Sequence, residues 1–198
     1  FLGFSRSFGW ALNKGFTFPL LSEYSGSAFV RGLILGLQGF IGLIIPILLG
    51  YMSDTLNSKH GRRKPFILVG GALSGIVAFM IYTAYSLGAS LWIFTLVVAI
   101  FYFAMYSYTS HFRALMPELI PSGDRGKASS FITLAEWSGN LVLFALAGYV
   151  VGAYGDLGDY SMFILTAIFL ISASVFTYFR VNEPKRPKII PKQKLKTY

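Results

Sequence analysis

Long apolar runs separated by short polar connections dominate the chain. A helix needs about 20 apolar residues to cross about 30 Å of hydrocarbon, because it rises about 1.5 Å per residue. Six runs reach this length. They lie at about residues 1–21, 28–51, 65–86, 91–116, 126–154 and 160–181. The pattern therefore predicts six transmembrane helices that form one bundle over residues 1–181.

The runs do not have the pattern of membrane-spanning strands. A strand of a membrane barrel alternates apolar and polar residues over about ten positions, whereas residues 91–105 read LWIFTLVVAIFYFAM. Hydrophobic residues make up 55% of the 198 residues and charged residues only 13%, compared with about 25% charged residues in soluble domains. We therefore expect an all-α, multi-pass membrane protein.

The distribution of charge predicts the topology. The net charge is +9, and the basic residues concentrate between the second and third runs, between the fourth and fifth runs, and after the sixth run. The other connections hold Glu23, Asp156 and Asp159, with Arg31 as their one basic residue. Because basic loops stay on the cytoplasmic side, we expect both termini in the cytoplasm. Residues 182–198 are then a basic tail or linker, and the expected surroundings are lipids and not nucleic acid.

Two ionisable residues lie deep within predicted helices. Lys14 is two-thirds of the way along the first, and Glu136 is about 15 Å from the start of the fifth. Each charge costs at least about 2.5 to 3.5 kcal/mol at the bilayer centre unless it is paired or hydrated. Two interpretations remain open. The residues form a buried pair that fixes packing, or Glu136 is a protonatable coupling carboxylate in a transport site.

Small residues at four-residue spacing predict close helix packing. The pairs are Gly32 and Gly36, Gly71 and Gly75, and Gly148 and Gly152. Lipid provides no hydrophobic drive for helix pairing, so glycines that allow close backbone approach are typical of helix contacts in membranes.

The connection between the second and third runs carries the most specific motif. The segment from Gly50 to Phe66 reads GYMSDTLNSKHGRRKPF and resembles the corresponding loop of the major facilitator superfamily. In that family, the loop meets the opposite half of the protein and helps to gate the cytoplasmic side. The alternative is that the arginines only anchor the loop on the cytoplasmic side. The resemblance implies a gate formed by Gly50, Asp54, Gly61, Arg62, Arg63 and Arg113.

Further segments resemble sucrose/proton symporters and the glycoside-pentoside-hexuronide cation symporter family. They are GWAL at 9–12, GRRKPFI at 61–67, RALMPEL at 113–119 and GN at 139–140. The resemblance implies the amino-terminal half of a transporter in the cell membrane. Such a transporter moves a sugar or glycoside together with a coupling ion by alternating access. The expected coupling ion is a proton, and sodium is the less favoured alternative. A second six-helix half would complete a midplane site.

This resemblance implies that the chain forms half of a substrate and coupling cavity between this bundle and a second one, with Trp10 as an aromatic platform for a sugar ring. The expected lining residues are Trp10, Asn13, Lys14, Gln38, Tyr102, Tyr106, Glu136 and Asn140.

Two departures from the related families bear on coupling. Tyr102 stands where sucrose symporters have an aspartate, and Ile41 and Ile45 stand near the paired aspartates of melibiose-type members. Glu136 is then the candidate coupling carboxylate of this half, or there is no coupling.

A different class of protein stays open. The chain could be a self-contained six-helix protein that acts as a homodimer, a lipid-handling protein or a scaffold. An enzyme is not expected, because the sequence has no metal-binding or nucleophile motif, no cysteine, and only His60 and His111, both predicted in solvated loops. We expect no catalytic residue, metal site or cofactor beyond the coupling ion.

Overall fold

The protein is a bundle of helices. The computed structural model describes residues 1–55 and 61–183. Lys59 of the basic loop, the predicted loop histidine His60 and most of the predicted tail, residues 184–198, lie outside the described residues. No strand occurs in the described ranges. The helices are α1 (Leu2–Leu12), α2 (Phe18–Tyr24), α3 (Ala28–Thr55), α4 (Lys64–Ser86), α5 (Leu91–Leu119), α6 (Arg125–Tyr154) and α7 (Asp156–Arg180).

The first predicted helix contains one turn that is wider than an α-helical turn. A π-helical turn, Asn13–Thr17, joins α1 to α2, so that the helical segment runs without a break from Leu2 to Tyr24. The other five predicted helices correspond to α3 to α7, each long and apolar enough to cross a membrane. The all-α class is confirmed. The cytoplasmic position of both termini and the division into bundle and tail stay predictions.

Helix α5 contributes more buried residues than any other helix of the described ranges. Helix α4 packs against α5 and α7, α1 packs against α6 and α7, and α3 packs against α5. Phe94, Phe101, Tyr102 and Tyr108 of α5 are fully buried, as is Phe163 of α7. Helix α3 differs from the others, since only Ile34 and Ser53 are buried along its length. Helix α6 is similarly open on one face.

The glycine pairs have two different environments. A Cβ atom added to Gly71 would lie 2.5 Å from the Cβ of Ser174, and one added to Gly75 would lie 2.9 Å from the carbonyl oxygen of Ala167. These two glycines therefore allow α4 to approach α7 closely, as predicted. The pairs in α3 and α6 face open space, so their predicted role in packing within this bundle is wrong. Those helices have no neighbouring helix on that side among the described residues.

Substitution of Gly71 by alanine should destabilise the bundle. The added methyl group overlaps Ser174, and overpacking of this kind typically costs about 1–3 kcal/mol. The matched control is Gly126→Ala in α6, where an added Cβ meets nothing within 4 Å. Thermal unfolding of the purified protein in detergent measures both. A melting temperature that is as high for Gly71→Ala as for Gly126→Ala would show that α4 and α7 do not pack as described.

Candidate substrate cavity and cytoplasmic charge cluster

Glu136 pairs with Arg6. The Nε atom of Arg6 donates to Oε1 of Glu136 at 3.1 Å, and the Nη2 atom of the same guanidinium forms a second, shorter ion pair with that oxygen. The side chains are only 9% and 19% exposed. The hypothesis that Lys14 and Glu136 form a buried pair is therefore wrong. Arg6 is a site residue that the predicted list omits.

Close backbone contact between α1 and α6 explains this pairing. A Cβ added to Gly3 would lie 3.4 Å from Cγ of Glu136, and one added to Gly139 would lie 2.7 Å from the carbonyl oxygen of Phe4. These glycines bring the first turns of α1 against the middle of α6. Arg6 therefore faces Glu136, whereas Lys14 lies eight residues, or about two turns, further along the chain. Gly3 and Gly139, which lie at this contact near Glu136, were the only sequence signal for the register between α1 and α6.

Lys14 lies on the π-helical turn and is exposed. It borders a cavity of about 400 Å³ between the first helical segment and α6, which we call the Trp10 cavity. None of the hydrogen bonds or ion pairs among the described residues involves its amine. The residues that line the Trp10 cavity are Trp10, Ala11, Lys14, Trp137, Asn140, Leu141 and Phe144. The structure thus brings together three predicted cavity residues, Trp10, Lys14 and Asn140, whose function stays a prediction.

The remaining predicted cavity residues lie elsewhere. Asn13 and Tyr102 are both 0% exposed, and their side chains hydrogen-bond each other at 3.4 Å. Their expected position on the cavity wall is corrected to the core between the first helical segment and α5. Tyr106 packs edge-on against Trp10, with ring centroids 5.1 Å apart. Gln38 is half-buried on α3, outside the lining of the Trp10 cavity.

A second group of charges joins the ends of three helices. The Oδ1 atom of Asp54, at the end of α3, accepts hydrogen bonds from Arg62 at 3.1 Å and from Arg63 at 2.9 Å. Glu118, near the end of α5, accepts from Arg63 at 3.2 Å and forms a shorter contact with Arg62. Arg63 also donates to Ser53 at 2.8 Å. Together with Glu183, these two arginines and two acids make up the arginine cluster.

Glu183 ties the chain after α7 into this cluster. Its carboxylate accepts the backbone N–H of Arg63 at 3.0 and 3.1 Å and that of Lys64 at 3.4 Å, and its side chain is only 2% exposed. The first N–H groups of a helix have no partner inside the helix and carry partial positive charge. Glu183 therefore caps α4. The sequence signal was an isolated acid just after the last apolar run.

Gly61 makes this cap possible. Its φ angle is +96°, in the left-handed region that favours glycine. A Cβ at this position would also collide with the carboxylate of Glu183. The glycine at position 61 thus has a steric reason that only the structure shows.

Three further residues lie near this cluster. Arg113 is exposed and belongs to none of the ion pairs of the described residues, and its place in the gate stays a prediction. Gly50 faces open space, and its place in the gate also stays a prediction. His111 is fully buried, stacks on Phe66 at 4.5 Å, and has its ring nitrogens 2.7 Å from the carbonyl oxygen of Ser107 and 3.3 Å from that of Leu49. The expectation of a solvated loop histidine is wrong.

Five long apolar helices among the described residues are typical of an integral multi-pass membrane protein. The sequence model of one protein family, the Major Facilitator Superfamily, matches residues 1–197 of the chain. The chain belongs to this superfamily.

Two plant proteins are similar to the chain. Sucrose transport protein SUC4 of Arabidopsis thaliana is 28% identical over 177 residues, which cover 80% of this chain and 32% of that protein. Sucrose transport protein SUC3 of Arabidopsis thaliana is 35% identical over 74 residues, which cover 37% of this chain and 12% of that protein. The chain therefore spans about a third of the length of the first relative, and its match to the second covers a smaller part of that protein.

Neutralising Glu183 should destabilise the arrangement around the arginine cluster. The change Glu183→Gln keeps the size of the side chain but removes the charge that accepts N–H groups of α4. Hydrogen bonds to charged groups contribute about 1.5–3 kcal/mol each, so we expect a lower melting temperature in detergent. Asp124→Asn is the control, because its ion pair with Lys127 is 3.9 Å long and exposed, and pairs of this kind contribute little. Equal melting temperatures for the two variants would contradict the cap.

Proposed function

We propose that the chain is the amino-terminal half of a secondary active transporter that carries a sugar or glycoside together with a cation. The observation that carries this proposal is the Trp10 cavity, which places a tryptophan and a lysine of the first helical segment beside an asparagine of α6, a helix long and apolar enough to cross a membrane. Aromatic rings pack against the apolar faces of sugar rings, and amide groups both donate to and accept from hydroxyl groups. The similarity to two sucrose transport proteins supports the same substrate class.

A second six-helix half is expected to cover the open side of the bundle. Helices α3 and α6 expose large apolar side chains there, among them Phe40, Trp137 and Leu141. This surface also contains the open Trp10 cavity, and the exposed lysine in it does not suit a surface that faces only lipid. In this fold, substrate binds near the midplane between two related bundles. We place the complete protein in the cell membrane, with this cavity as half of its binding site.

Coupling to a proton is assigned to the pair of Arg6 and Glu136. A buried carboxylate that loses its cationic partner is costly to leave charged, so a helix shift that separates the two groups favours uptake of a proton by Glu136. Restoring the pair then favours its release. The close α1–α6 contact beside Glu136 makes this pair sensitive to relative movement of the two helices.

The arginine cluster is the proposed gate on the cytoplasmic side. It connects α3, α4, α5 and the chain that follows α7 through ion pairs and hydrogen bonds. Such charge pairs are either formed or broken. They can therefore stabilise one of the two conformations of an alternating-access cycle.

A homodimer is the second candidate. The exposed Gly32 and Gly36 of α3 form the four-residue glycine spacing that pairs transmembrane helices, and both face open space. Two copies could associate through this face of α3 without a second half.

Uptake into proteoliposomes tests the transport proposal. With the complete gene product, an inward proton gradient should drive accumulation of radiolabelled sucrose above the external concentration. Glu136→Gln should lower accumulation to the external concentration, because glutamine cannot bind and release a proton. Ser138→Ala, on the same helix with only a local hydrogen bond to Ala135, is the control. Gradient-driven accumulation by Glu136→Gln would exclude Glu136 as the coupling group.

Disulfide cross-linking separates the transporter from the homodimer. The chain has no cysteine, so Gly36→Cys introduces one thiol on the open face of α3, in a gene product whose other cysteines have been replaced. A second half that covers α3 should prevent a disulfide between two copies. Leu87→Cys, at an exposed loop, reports random collisions. Cross-linked dimers that form far faster through position 36 than through position 87 would favour the homodimer.

A further inference from the structure

His111 is a buried titratable residue that the proposed transport mechanism does not use. Its side chain is 0% exposed and lies near the end of α5, where α3 and α4 also meet. The imidazole stacks on the ring of Phe66 in the first turn of α4, with the ring centroids 4.5 Å apart and the planes 4° from parallel. The surrounding helices therefore fix the ring, and each of its nitrogens has a defined neighbour.

Both ring nitrogens face carbonyl oxygens. Nδ1 lies 2.7 Å from the carbonyl oxygen of Ser107, one turn earlier on α5, and Nε2 lies 3.3 Å from the carbonyl oxygen of Leu49 on α3. A neutral imidazole has only one N–H group, whereas the protonated ring has two. The proton of the neutral ring belongs on Nδ1, because a lone pair there would repel the carbonyl oxygen at this shorter distance. The hydroxyl of Ser110, 3.2 Å from Nδ1, donates to the same carbonyl oxygen.

Protonation therefore changes the contact between α5 and α3. In the neutral ring, the lone pair of Nε2 faces the carbonyl oxygen of Leu49 and the contact is unfavourable. In the protonated ring, the N–H at Nε2 donates to this oxygen. Hydrogen bonds of charged groups are roughly twice as strong as those between neutral groups.

The surroundings of His111 act on its charge in opposite directions. Burial disfavours the charged ring, and the two carbonyl oxygens favour it. The charged groups that act on the ring among the described residues are Arg63, which repels a positive charge, and Asp54, which attracts one. The stacked ring of Phe66 adds attraction, because an aromatic face attracts a cation within about 6 Å of its centroid.

The part of α3 that this contact holds has few other buried contacts. Pro46, three residues before Leu49, lies inside α3 and has no N–H group for the helix. Proline is a common cause of bends in helices. Beyond Pro46, the one buried residue of α3 is Ser53, whose hydroxyl accepts a hydrogen bond from Arg63. A bond from His111 would therefore be one of the few attachments of the last turns of α3.

We infer that His111 takes up a proton between pH 8 and pH 5, the range in which histidine ordinarily changes its charge, and that the resulting bond to Leu49 latches the last turns of α3 to α5. The latch forms at low pH and is lost as the pH rises. This inference goes beyond the proposed function and does not depend on the transported solute. The arginine cluster lies at the same end of α3, so acid on that side would hold the proposed gate in the arrangement described above.

Nitrogen NMR of isotopically labelled histidine measures the charge of the ring directly. The complete gene product is prepared with His111 as its only histidine, so that the two ring nitrogens give the only histidine signals. We expect a neutral ring with its proton on Nδ1 at pH 8, and protons on both nitrogens at pH 5. A ring that stays neutral down to pH 5, or that carries its single proton on Nε2 at pH 8, would overturn the inference.

Hydrogen–deuterium exchange of the complete gene product in detergent measures the latch. After correction for the intrinsic effect of pH on exchange, local opening at residues 50–55 should be about tenfold more frequent at pH 8 than at pH 5. His111→Gln cannot titrate and should remove this difference. His60→Gln replaces the other histidine of the chain and should retain it.

The outcomes separate the latch from the proposed function. The same pH dependence of exchange in His111→Gln and His60→Gln would overturn the latch. Because the NMR measurement leaves His111 unchanged, it decides the inference where His111→Gln does not fold. Neither measurement requires transport, so failure of the latch leaves the proposed sugar transporter standing, and absence of sugar uptake leaves the latch standing.

Discussion

The hydrogen-bonded ion pair between Arg6 and Glu136 sets the arrangement on which the candidate site depends. Neither group can lie alone in hydrocarbon without a large loss of hydration, so α1 and α6 are constrained to the register in which the charges meet. The glycines at this contact let the two backbones approach. Once Arg6 faces Glu136, Lys14 lies about two turns away, beside the Trp10 cavity.

The need to pair buried charges also shapes the arginine cluster. Arg62 and Arg63 are held by Asp54, Glu118 and Glu183, which come from the ends of α3 and α5 and from the chain after α7. Because several acids share two guanidinium groups, movement of any one helix changes the partners of the others. The cap on α4 by Glu183 extends this coupling to the segment that leads out of the bundle. A gate of this kind would respond to helix positions and not to a single contact.

The helices differ in how much of their surface is buried, and this difference has a functional interpretation. Helices α4, α5 and α7 form a well-packed core, whereas α3 and α6 present apolar side chains and open glycines on one face. In a family whose substrate site lies between two bundles, the face that is incomplete in one bundle is the face to which we assign the proposed site. The position of the Trp10 cavity against α6 agrees with this arrangement.

The sequence by itself determined the class of the protein and the order of its helices. Runs of apolar residues have one stable solution in hydrocarbon, in which each segment satisfies its own backbone hydrogen bonds, so length and hydropathy were sufficient. The motif from Gly50 to Phe66 likewise marked Asp54, Arg62 and Arg63 as candidate gate residues. Only the tertiary structure decided that Arg6 and not Lys14 pairs with Glu136, that Asn13 and Tyr102 lie in the core, and that Arg113 lies outside the arginine cluster. The physical reason is that pairing depends on helix register and rotation. A single π-helical turn or one close glycine contact changes which residue faces which, while the hydrophobic pattern stays the same.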